Sequence, residues 1–265
     1  MPLNDEAGTE HARADAAAEL IWNAWTSGER LDALPDDVRP EDLDDGWAVQ
    51  ERLGGHAGPG YGWKLAATSA AGQAHIGIGG PLPGRLFERF RHDPGAVLDS
   101  GALHMKVIEA EFAFRMARDV PAGASREEVL DAVAALHLAI EVPDSRFADF
   151  GHIGSAQLLA DAACAGLFVL GPEIPDWRAL ELSTWGTTLW INGEAVEKGT
   201  GGNVLGDPRT ALAWLADDLP RFGSLLRAGE IVTTGTTTTP PRIGPGDEVR
   251  ADFGDLGEVL VSFRR

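Results

Sequence analysis

The stretch Val107-Ile108-Glu109-Ala110-Glu111-Phe112-Ala113-Phe114 decides how this chain folds. Apolar residues alternate with two glutamates, and successive side chains along a strand point to opposite faces. The pattern predicts a strand within residues 105–116 with one apolar face that must pack on a core, formed by Ile108, Ala110, Phe112 and Phe114. Glu109 and Glu111 then lie together on the other face, about 6 to 7 Å apart along the strand.

Two carboxylates at this spacing repel each other unless water or a cation relieves the repulsion. The simplest alternative is a half-buried strand whose charged face lies in solvent. A third acid, Glu141, lies in the apolar stretch Leu138-Ala139-Ile140-Glu141-Val142, which predicts a buried strand. A buried glutamate is costly unless it is paired, protonated or bound to metal. Arg146 is the salt-bridge partner that the sequence offers as the alternative to a metal.

Glu109, Glu111 and Glu141 together describe a site for a hard cation. Oxygen ligands suit Mg²⁺, Mn²⁺ or Ca²⁺, and no cysteine or pair of histidines accompanies the three acids. Three protein ligands on a six-coordinate ion leave positions open for substrate and water, which Lewis-acid catalysis requires. We therefore expect an enzyme that uses Mg²⁺ or Mn²⁺.

The composition narrows the class of protein. The 265-residue chain has a formal net charge of −19, and a surface this acidic repels nucleic acid and anionic lipid. Its single cysteine, Cys164, excludes an intrachain disulfide and a cysteine-based zinc site. The amino terminus lacks the pattern of a signal peptide, and no apolar stretch approaches the ~20 residues that span a bilayer. We expect a cytoplasmic protein that binds neither nucleic acid nor membrane.

The order of patterns along the chain predicts a helical amino-terminal extension, residues 1–60, and a β-rich catalytic domain, residues 61–265. Helical spacing of apolar residues predicts helices over about 12–26 and 40–53, the second ended by Gly54-Gly55. The fold class is therefore α+β. Further local patterns are a capping box at Ser125, a hairpin turn at Asn192-Gly193, a helix after Asp207-Pro208, and strands near Ile231, Val249 and Val259.

Several motifs between Gly46 and Phe263 occur in the order and spacing of a known family. They are Gly46-Trp47-Ala48-Val49-Gln50, residues 62–69 (Gly-Trp-Lys-Leu-Ala-Ala-Thr-Ser), residues 77–87, Glu109-Ala110-Glu111, residues 139–146 (Ala-Ile-Glu-Val-Pro-Asp-Ser-Arg), residues 199–208, Ala228-Gly229-Glu230 and Pro245-Gly246-Asp247. The pattern resembles the fumarylacetoacetate hydrolase superfamily, specifically its 2-keto-4-pentenoate hydratase and 4-oxalocrotonate decarboxylase branch. The resemblance implies a β-rich roll of that type, metal bound at Glu109, Glu111 and Glu141, Lys64 in the active site, and a homo-oligomer.

Two positions depart from the branch pattern. Hydratases of the branch usually carry an aspartate two residues before the glycine that matches Gly84, where this chain has Leu82. An apolar residue there resembles the decarboxylases more closely. The asparagine of the family's Ala-Asp-Asn-Ala stretch is replaced by Ala162. Both departures concern the reaction, and neither touches the three glutamates.

The function expected from these residues is a metal-dependent lyase of a small 2-oxo or 2-hydroxydienoic acid. A 2-keto-4-pentenoate hydratase is the first interpretation, and a 4-oxalocrotonate-type decarboxylase is the alternative. A third is a non-catalytic partner or scaffold protein of the same family, bound to a sister enzyme of its pathway.

Side-chain roles at the substrate are also expected. Lys64, near a metal and partly apolar surroundings, should have a lowered pKa and shuttle a proton or pair with the substrate carboxylate; the alternative is an ordinary surface lysine. Thr68 and Thr236 are candidates to bind the substrate carboxylate. Leu82 is a candidate to line the substrate, and Arg85 to bind the second carboxylate of a diacid.

Overall fold

The protein is described by a computed structural model that covers the backbone of residues 3–265 and the side chains of residues 8–265. The helices are α1 Leu3–Ser27, α2 Leu43–Ala57, α3 Ala70–His75, α4 Arg126–Asp131, α5 Ser155–Ala160 and α6 Pro208–Asp218. The strands are β1 Gly60–Ala66, β2 Leu82–Phe87, β3 Arg91–His92, β4 Val97–Leu98, β5 Glu109–Met116, β6 Val133–Val142, β7 Leu167–Ile174, β8 Gly186–Ile191, β9 Glu194–Thr200, β10 Ile231–Thr236, β11 Glu248–Asp252 and β12 Glu258–Phe263.

The strands form two mixed sheets. A seven-stranded sheet has the order β2-β1-β10-β5-β6-β7-β3, and a five-stranded sheet has the order β4-β12-β11-β8-β9. Most neighbours are antiparallel, whereas β1 with β10, β3 with β7 and β4 with β12 are parallel. The predicted α+β class and β-rich roll are confirmed.

The seven-stranded sheet has a core on each face. Its apolar β5 face packs toward the five-stranded sheet, where Phe112 meets Phe253 edge to face at 5.3 Å between ring centroids. On the other face, Ala113 and Ala139 belong to a second buried cluster, which also contains Ile21 of α1 and Leu53 of α2. The amino-terminal helices therefore cover the face of the sheet that carries Glu109 and Glu111.

Helix α2 differs from the expected helix over 40–53. It begins after Asp42, whose side chain accepts a hydrogen bond from the Asp45 backbone, and it runs through Gly54-Gly55. It ends at Gly58, where φ is 93°. Burial of Leu53 and Ala57 explains the continuation, because tertiary packing outweighs the low helix propensity of two glycines.

Several local predictions are confirmed. Ser125 and Glu128 form the reciprocal hydrogen bonds of a capping box at the start of α4. Asn192 and Gly193 both have positive φ in the β8–β9 turn, as a two-residue hairpin requires. The division into an extension of residues 1–60 and a domain of residues 61–265 stays a prediction, since β1 begins at Gly60 and the helices α1 and α2 share a buried cluster with the sheet.

Candidate metal centre and active site

Strand pairing brings the three glutamates together. Glu109 and Glu141 are directly opposite each other on the antiparallel strands β5 and β6, and Glu111 lies on the same face one side-chain repeat further along β5. Each glutamate offers a carboxylate oxygen, and the three oxygens lie within 4.8 Å of one another. Glu111 and Glu141 are fully buried. The face predicted to carry two acids thus carries a compact trio.

Glu111 is held by donors from β10. The Thr233 hydroxyl and the Gly235 backbone N–H both donate to Glu111 Oε2, the latter at 2.8 Å. Glu111 Oε1 and Glu141 Oε2 accept no hydrogen bond from a described residue, whereas Glu141 Oε1 faces the Lys64 ammonium group. One Glu111 oxygen is therefore fixed, while buried oxygens of Glu111 and Glu141 remain available as ligands.

Lys64 lies beside this trio. Its Nζ is 3.1 Å from Glu141 Oε1, in an ion pair whose side chains are 4% and 0% exposed. Nζ also donates a hydrogen bond of 3.1 Å to the Ala163 carbonyl. The alternative partner for Glu141 is wrong, because Arg146 instead pairs with Asp161.

The charges around Lys64 also correct the expected direction of its pKa. Burial by itself lowers the pKa of Lys64, but Glu141 and then Glu109 raise it, and the net pKa is above the ordinary value. Without a metal, therefore, Lys64 is a charged ammonium group.

Burial is the largest influence on the pKa of each glutamate. It raises the pKa of Glu109 to about 7, helped by the negative charge of Glu141. It raises the pKa of Glu111 to about 8, helped by Glu109. The pKa of Glu141 is likewise raised to about 8 by burial, although Lys64 lowers it in part. Burial thus disfavours the charged form of all three carboxyl groups, and a divalent cation of the hard class would relieve this by stabilising the carboxylates, so the residues present fit such an ion.

Thr68 lies next to Gly235, one of the two residues that donate a hydrogen bond to Glu111. It follows β1 and is 4% exposed. A β-carbon built on Gly235 would lie 1.9 Å from Thr68 Oγ1, so only glycine, here with φ of 104°, lets the two segments approach this closely. The Thr68 hydroxyl is therefore adjacent to the site.

Thr236 is placed differently. Its hydroxyl donates to the Thr238 carbonyl at 2.9 Å and accepts from the Thr238 N–H at 3.3 Å. These two bonds close a local turn of the Ser/Thr type. The Thr236 hydroxyl is thus already bonded to the backbone of Thr238, which weakens the expected contact with a substrate carboxylate.

Leu82 and Arg85 lie on opposite faces of β2. Leu82 is paired with Ala66 on the face of Lys64, where it belongs to a small apolar cluster with Ala163 and Cys164.

Arg85 is paired with Trp63, whose side chain points away from that of Lys64 because neighbours along a strand alternate. Its guanidinium lies 4.3 Å from the Trp63 ring centre, and Nη1 lies 2.7 Å from Glu230 Oε1. The structure therefore does not support Arg85 as a ligand of the substrate, because its charge is used on the opposite face of the sheet.

Two features were missed from the sequence. Thr233 is the donor that orients Glu111, yet threonines near a strand end carry no distinctive pattern. Asp161 is fully buried and pairs with Arg146. A lone acid in the apolar run 158–166 is the same kind of pattern that singled out Glu141, so this residue could have been found.

Among the residues that the structure describes, no helix combines the length and the apolar character needed to cross a bilayer.

Comparison with known proteins agrees with this geometry. The chain is 32% identical over 257 residues to 2-keto-4-pentenoate hydratase of Paraburkholderia xenovorans (strain LB400), with 94% of each chain covered. It is 31% identical over 230 residues to 4-oxalocrotonate decarboxylase of Pseudomonas sp. (strain CF600), covering 86% of this chain and 87% of the relative.

A solved structure is similar along nearly the whole chain. This is 4-oxalocrotonate decarboxylase from Pseudomonas putida G7 complexed with magnesium and adipate, with a TM-score of 0.88 and 29% identity, covering 95% of this chain and 97% of that one. The family model for the carboxy-terminal part of fumarylacetoacetate (FAA) hydrolase matches residues 91–263. The chain therefore belongs to the fumarylacetoacetate hydrolase family, in the branch of lyases that contains 2-keto-4-pentenoate hydratases and 4-oxalocrotonate decarboxylases.

Proposed function

We propose that this protein is a divalent-metal-dependent lyase that hydrates a 2-hydroxypenta-2,4-dienoate-type acid to a 4-hydroxy-2-oxo acid. The observation that carries the proposal is the buried trio Glu109, Glu111 and Glu141, with free oxygens, beside a charged Lys64. The similarity to 2-keto-4-pentenoate hydratases over 94% of the chain supports the substrate class.

The three glutamates would hold Mg²⁺ or Mn²⁺, and the similar decarboxylase was solved with magnesium. Such an ion supplies Lewis-acid stabilisation of the negative charge that develops on a substrate oxygen. Glu111, fixed by Thr233 and Gly235, keeps one carboxylate oxygen in a constant place. Burial of Glu111 and Glu141 keeps bulk water away and strengthens every charge interaction in the site.

Lys64 is the candidate catalytic residue. An ammonium group has three N–H bonds; one is donated to the Ala163 carbonyl, and Glu141 Oε1 lies 3.1 Å from Nζ. Nζ therefore keeps a further N–H for a bound acid, and it can hold or release the proton that water addition requires. The Thr68 hydroxyl, adjacent to Gly235, is the candidate donor to the substrate carboxylate.

Decarboxylation of a 4-oxalocrotonate-type diacid is the second candidate function. The apolar Leu82 and the similarity to the decarboxylase structure favour it. A diacid needs a cationic partner for its second carboxylate, and Arg85 faces away from Lys64. That orientation favours hydration of a monoacid over decarboxylation of a diacid.

The test is an ultraviolet assay of EDTA-treated protein on freshly prepared 2-hydroxypenta-2,4-dienoate, with and without added Mg²⁺. We expect the dienol absorbance to disappear only when Mg²⁺ is present. Carbon dioxide release from an oxalocrotonate-type diacid, without turnover of the dienoate, would replace hydration by the second candidate. Absence of turnover on every 2-oxo acid, together with a stable complex with another enzyme, would favour a scaffold role.

Replacing Arg85 by alanine should leave substrate choice unchanged and reduce stability. The guanidinium pairs with Glu230 and stacks on Trp63, so we expect a loss of about 1 to 3 kcal/mol in the free energy of unfolding. The ratio of kcat/KM values for diacid and monoacid should stay within about twofold of wild type. Arg115→Ala, which removes an exposed pair with Glu173, is the control. A selective loss of diacid turnover in Arg85→Ala would return Arg85 to the substrate site.

Assembly is part of the proposal. From the family resemblance we infer that the protein forms a homo-oligomer. We also propose that it contacts a sister enzyme of the same pathway. Sedimentation of the purified protein measures the first, and co-purification with a candidate partner measures the second.

A further inference from the structure

The segment after α5 has an unusual backbone. Ala162, Ala163 and Cys164 have φ values of 47°, 48° and 62°, so three successive non-glycine residues are left-handed. L-amino acids are strained in this region because the β-carbon approaches the following carbonyl. A turn of this kind persists only where its surroundings hold it.

Arg146 holds both ends of this turn. Its Nε donates to Asp161 Oδ1 and its Nη2 to the Asp161 carbonyl, while Nη1 donates to the Ala165 carbonyl at 2.7 Å. Asp161 Oδ2 accepts from the Ser145 hydroxyl at 2.8 Å and from the Arg146 backbone N–H at 3.1 Å. Both charged side chains are fully buried. Every nitrogen of the guanidinium is thus spent on residues 161 and 165.

Helix α1 closes this arrangement from the outside. The Arg146 guanidinium carbon lies 3.8 Å from the centre of the Trp25 ring. A guanidinium stacked on an aromatic face is both attracted to it and shielded from water. We call Trp25, Ser145, Arg146 and Asp161 the clamp.

The turn held by the clamp touches the active site. The Ala163 carbonyl accepts the 3.1 Å hydrogen bond from Lys64 Nζ. A β-carbon on Gly84 would lie 2.0 Å from the Ala162 carbonyl oxygen, so the turn is in close contact with β2 at the residue paired with Lys64. Glu141, the other anchor of Lys64, belongs to the candidate metal trio. The Ala163 carbonyl is therefore the anchor that does not compete with a cation.

We propose that the clamp is a set of positioning residues for Lys64: Arg146 and Asp161, covered by Trp25, hold the left-handed turn whose Ala163 carbonyl aims the lysine ammonium at the substrate. This inference rests on the proposed role of Lys64. Helix α1 then contributes to the reaction indirectly, because its Trp25 covers the Arg146 guanidinium.

The test compares Arg146→Lys with Arg209→Lys. Arg209 is a matched control, because its guanidinium also binds a carboxylate (Asp207), two carbonyls (Trp177 and Leu180) and lies 5.8 Å from a tryptophan ring. Lysine keeps the charge at both positions but cannot form the planar set of bonds. We expect Arg146→Lys to lower kcat at least tenfold, with KM and Mg²⁺ affinity within about threefold, while Arg209→Lys keeps kcat within twofold.

A second readout does not depend on turnover. Wild type has three lysines, Lys64, Lys106 and Lys198, so selective isotope labelling gives three side-chain ammonium signals by nuclear magnetic resonance. Arg146→Lys and Arg209→Lys each add a fourth signal from the introduced residue. Of the three native signals, Arg146→Lys should move or broaden that of Lys64 alone, and Arg209→Lys should move none. Trp25→Leu serves the same purpose if Arg146→Lys fails to fold.

The outcomes separate the two proposals. The clamp proposal is overturned if the wild-type protein is active and Arg146→Lys and Arg209→Lys lose kcat equally. It is also overturned if the Lys64 signal does not move in the folded Arg146 or Trp25 variant. A wild-type protein inactive on every 2-oxo acid removes the proposed function, and the Lys64 signal still decides whether the clamp positions that lysine.

Discussion

Replacing Glu111 by glutamine should lower Mg²⁺-dependent turnover by about 100- to 1,000-fold or more, as expected when one group that stabilises developing charge is removed. Glutamine keeps the volume of the side chain, and its amide oxygen can still accept from Thr233 and Gly235. What disappears is the negative charge on a ligand oxygen. Mg²⁺ affinity, measured by calorimetry, should fall by at least the roughly 10- to 100-fold that loss of an outer hydrogen-bond partner costs.

The same variant should lose Mg²⁺ affinity but gain stability at high pH. The folded pKa of Glu111 is raised from 4.5 to about 8, so this group's contribution to stability is lost as pH rises through that interval. At pH 9, Glu111→Gln without metal should therefore melt at or above the temperature of wild type. Glu173→Gln, at an exposed position on β7, should change neither property. Wild-type Mg²⁺ affinity in Glu111→Gln would remove this residue from the metal site.

Replacing Lys64 by methionine should lower kcat by about 100- to 10,000-fold, the usual contribution of a positioned acid–base group. Methionine preserves most of the buried side-chain volume but provides no proton at the position of Nζ. Mg²⁺ should bind at least as tightly as in wild type, because a positive charge 3.1 Å from a Glu141 oxygen has been removed. Loss of turnover with retained metal binding would separate Lys64 from the metal ligands.

The control for this variant is Lys198→Met, since Lys198 lies exposed on β9. It should retain wild-type kcat, KM and Mg²⁺ affinity. Near-normal turnover in Lys64→Met would show that the ammonium group is not required, and the proton would then have to come from another group.

Local pattern was sufficient for the elements that depend on near neighbours in the chain. The capping box at Ser125 and the hairpin at Asn192 are decided within four residues, and both are present. The helix expected to stop at Gly54 was wrong for the converse reason: burial of α2 against distant residues outweighed its local sequence. The family resemblance supplied the fold type, which periodicity could not.

The electrostatic partners could not be read from the sequence. Arg146 is close to Glu141 in the chain and is the partner that the sequence offers, yet Glu141 pairs with Lys64, on a strand separated from β6 by β10 and β5. Three strand spacings are about 14 Å, so two long side chains must extend toward each other across the intervening strands. The order of strands in the assembled sheet, which makes this contact possible, has no signature in any one strand.

The sequence by itself determined that Glu109 and Glu111 share one face, because strand periodicity of two leaves no other arrangement. Only the tertiary structure decided that Glu141 and Lys64 join them and that Arg85 does not. The physical reason is that alternation fixes the side of a strand on which a residue lies. The choice of neighbouring strands depends on packing between segments far apart in the chain.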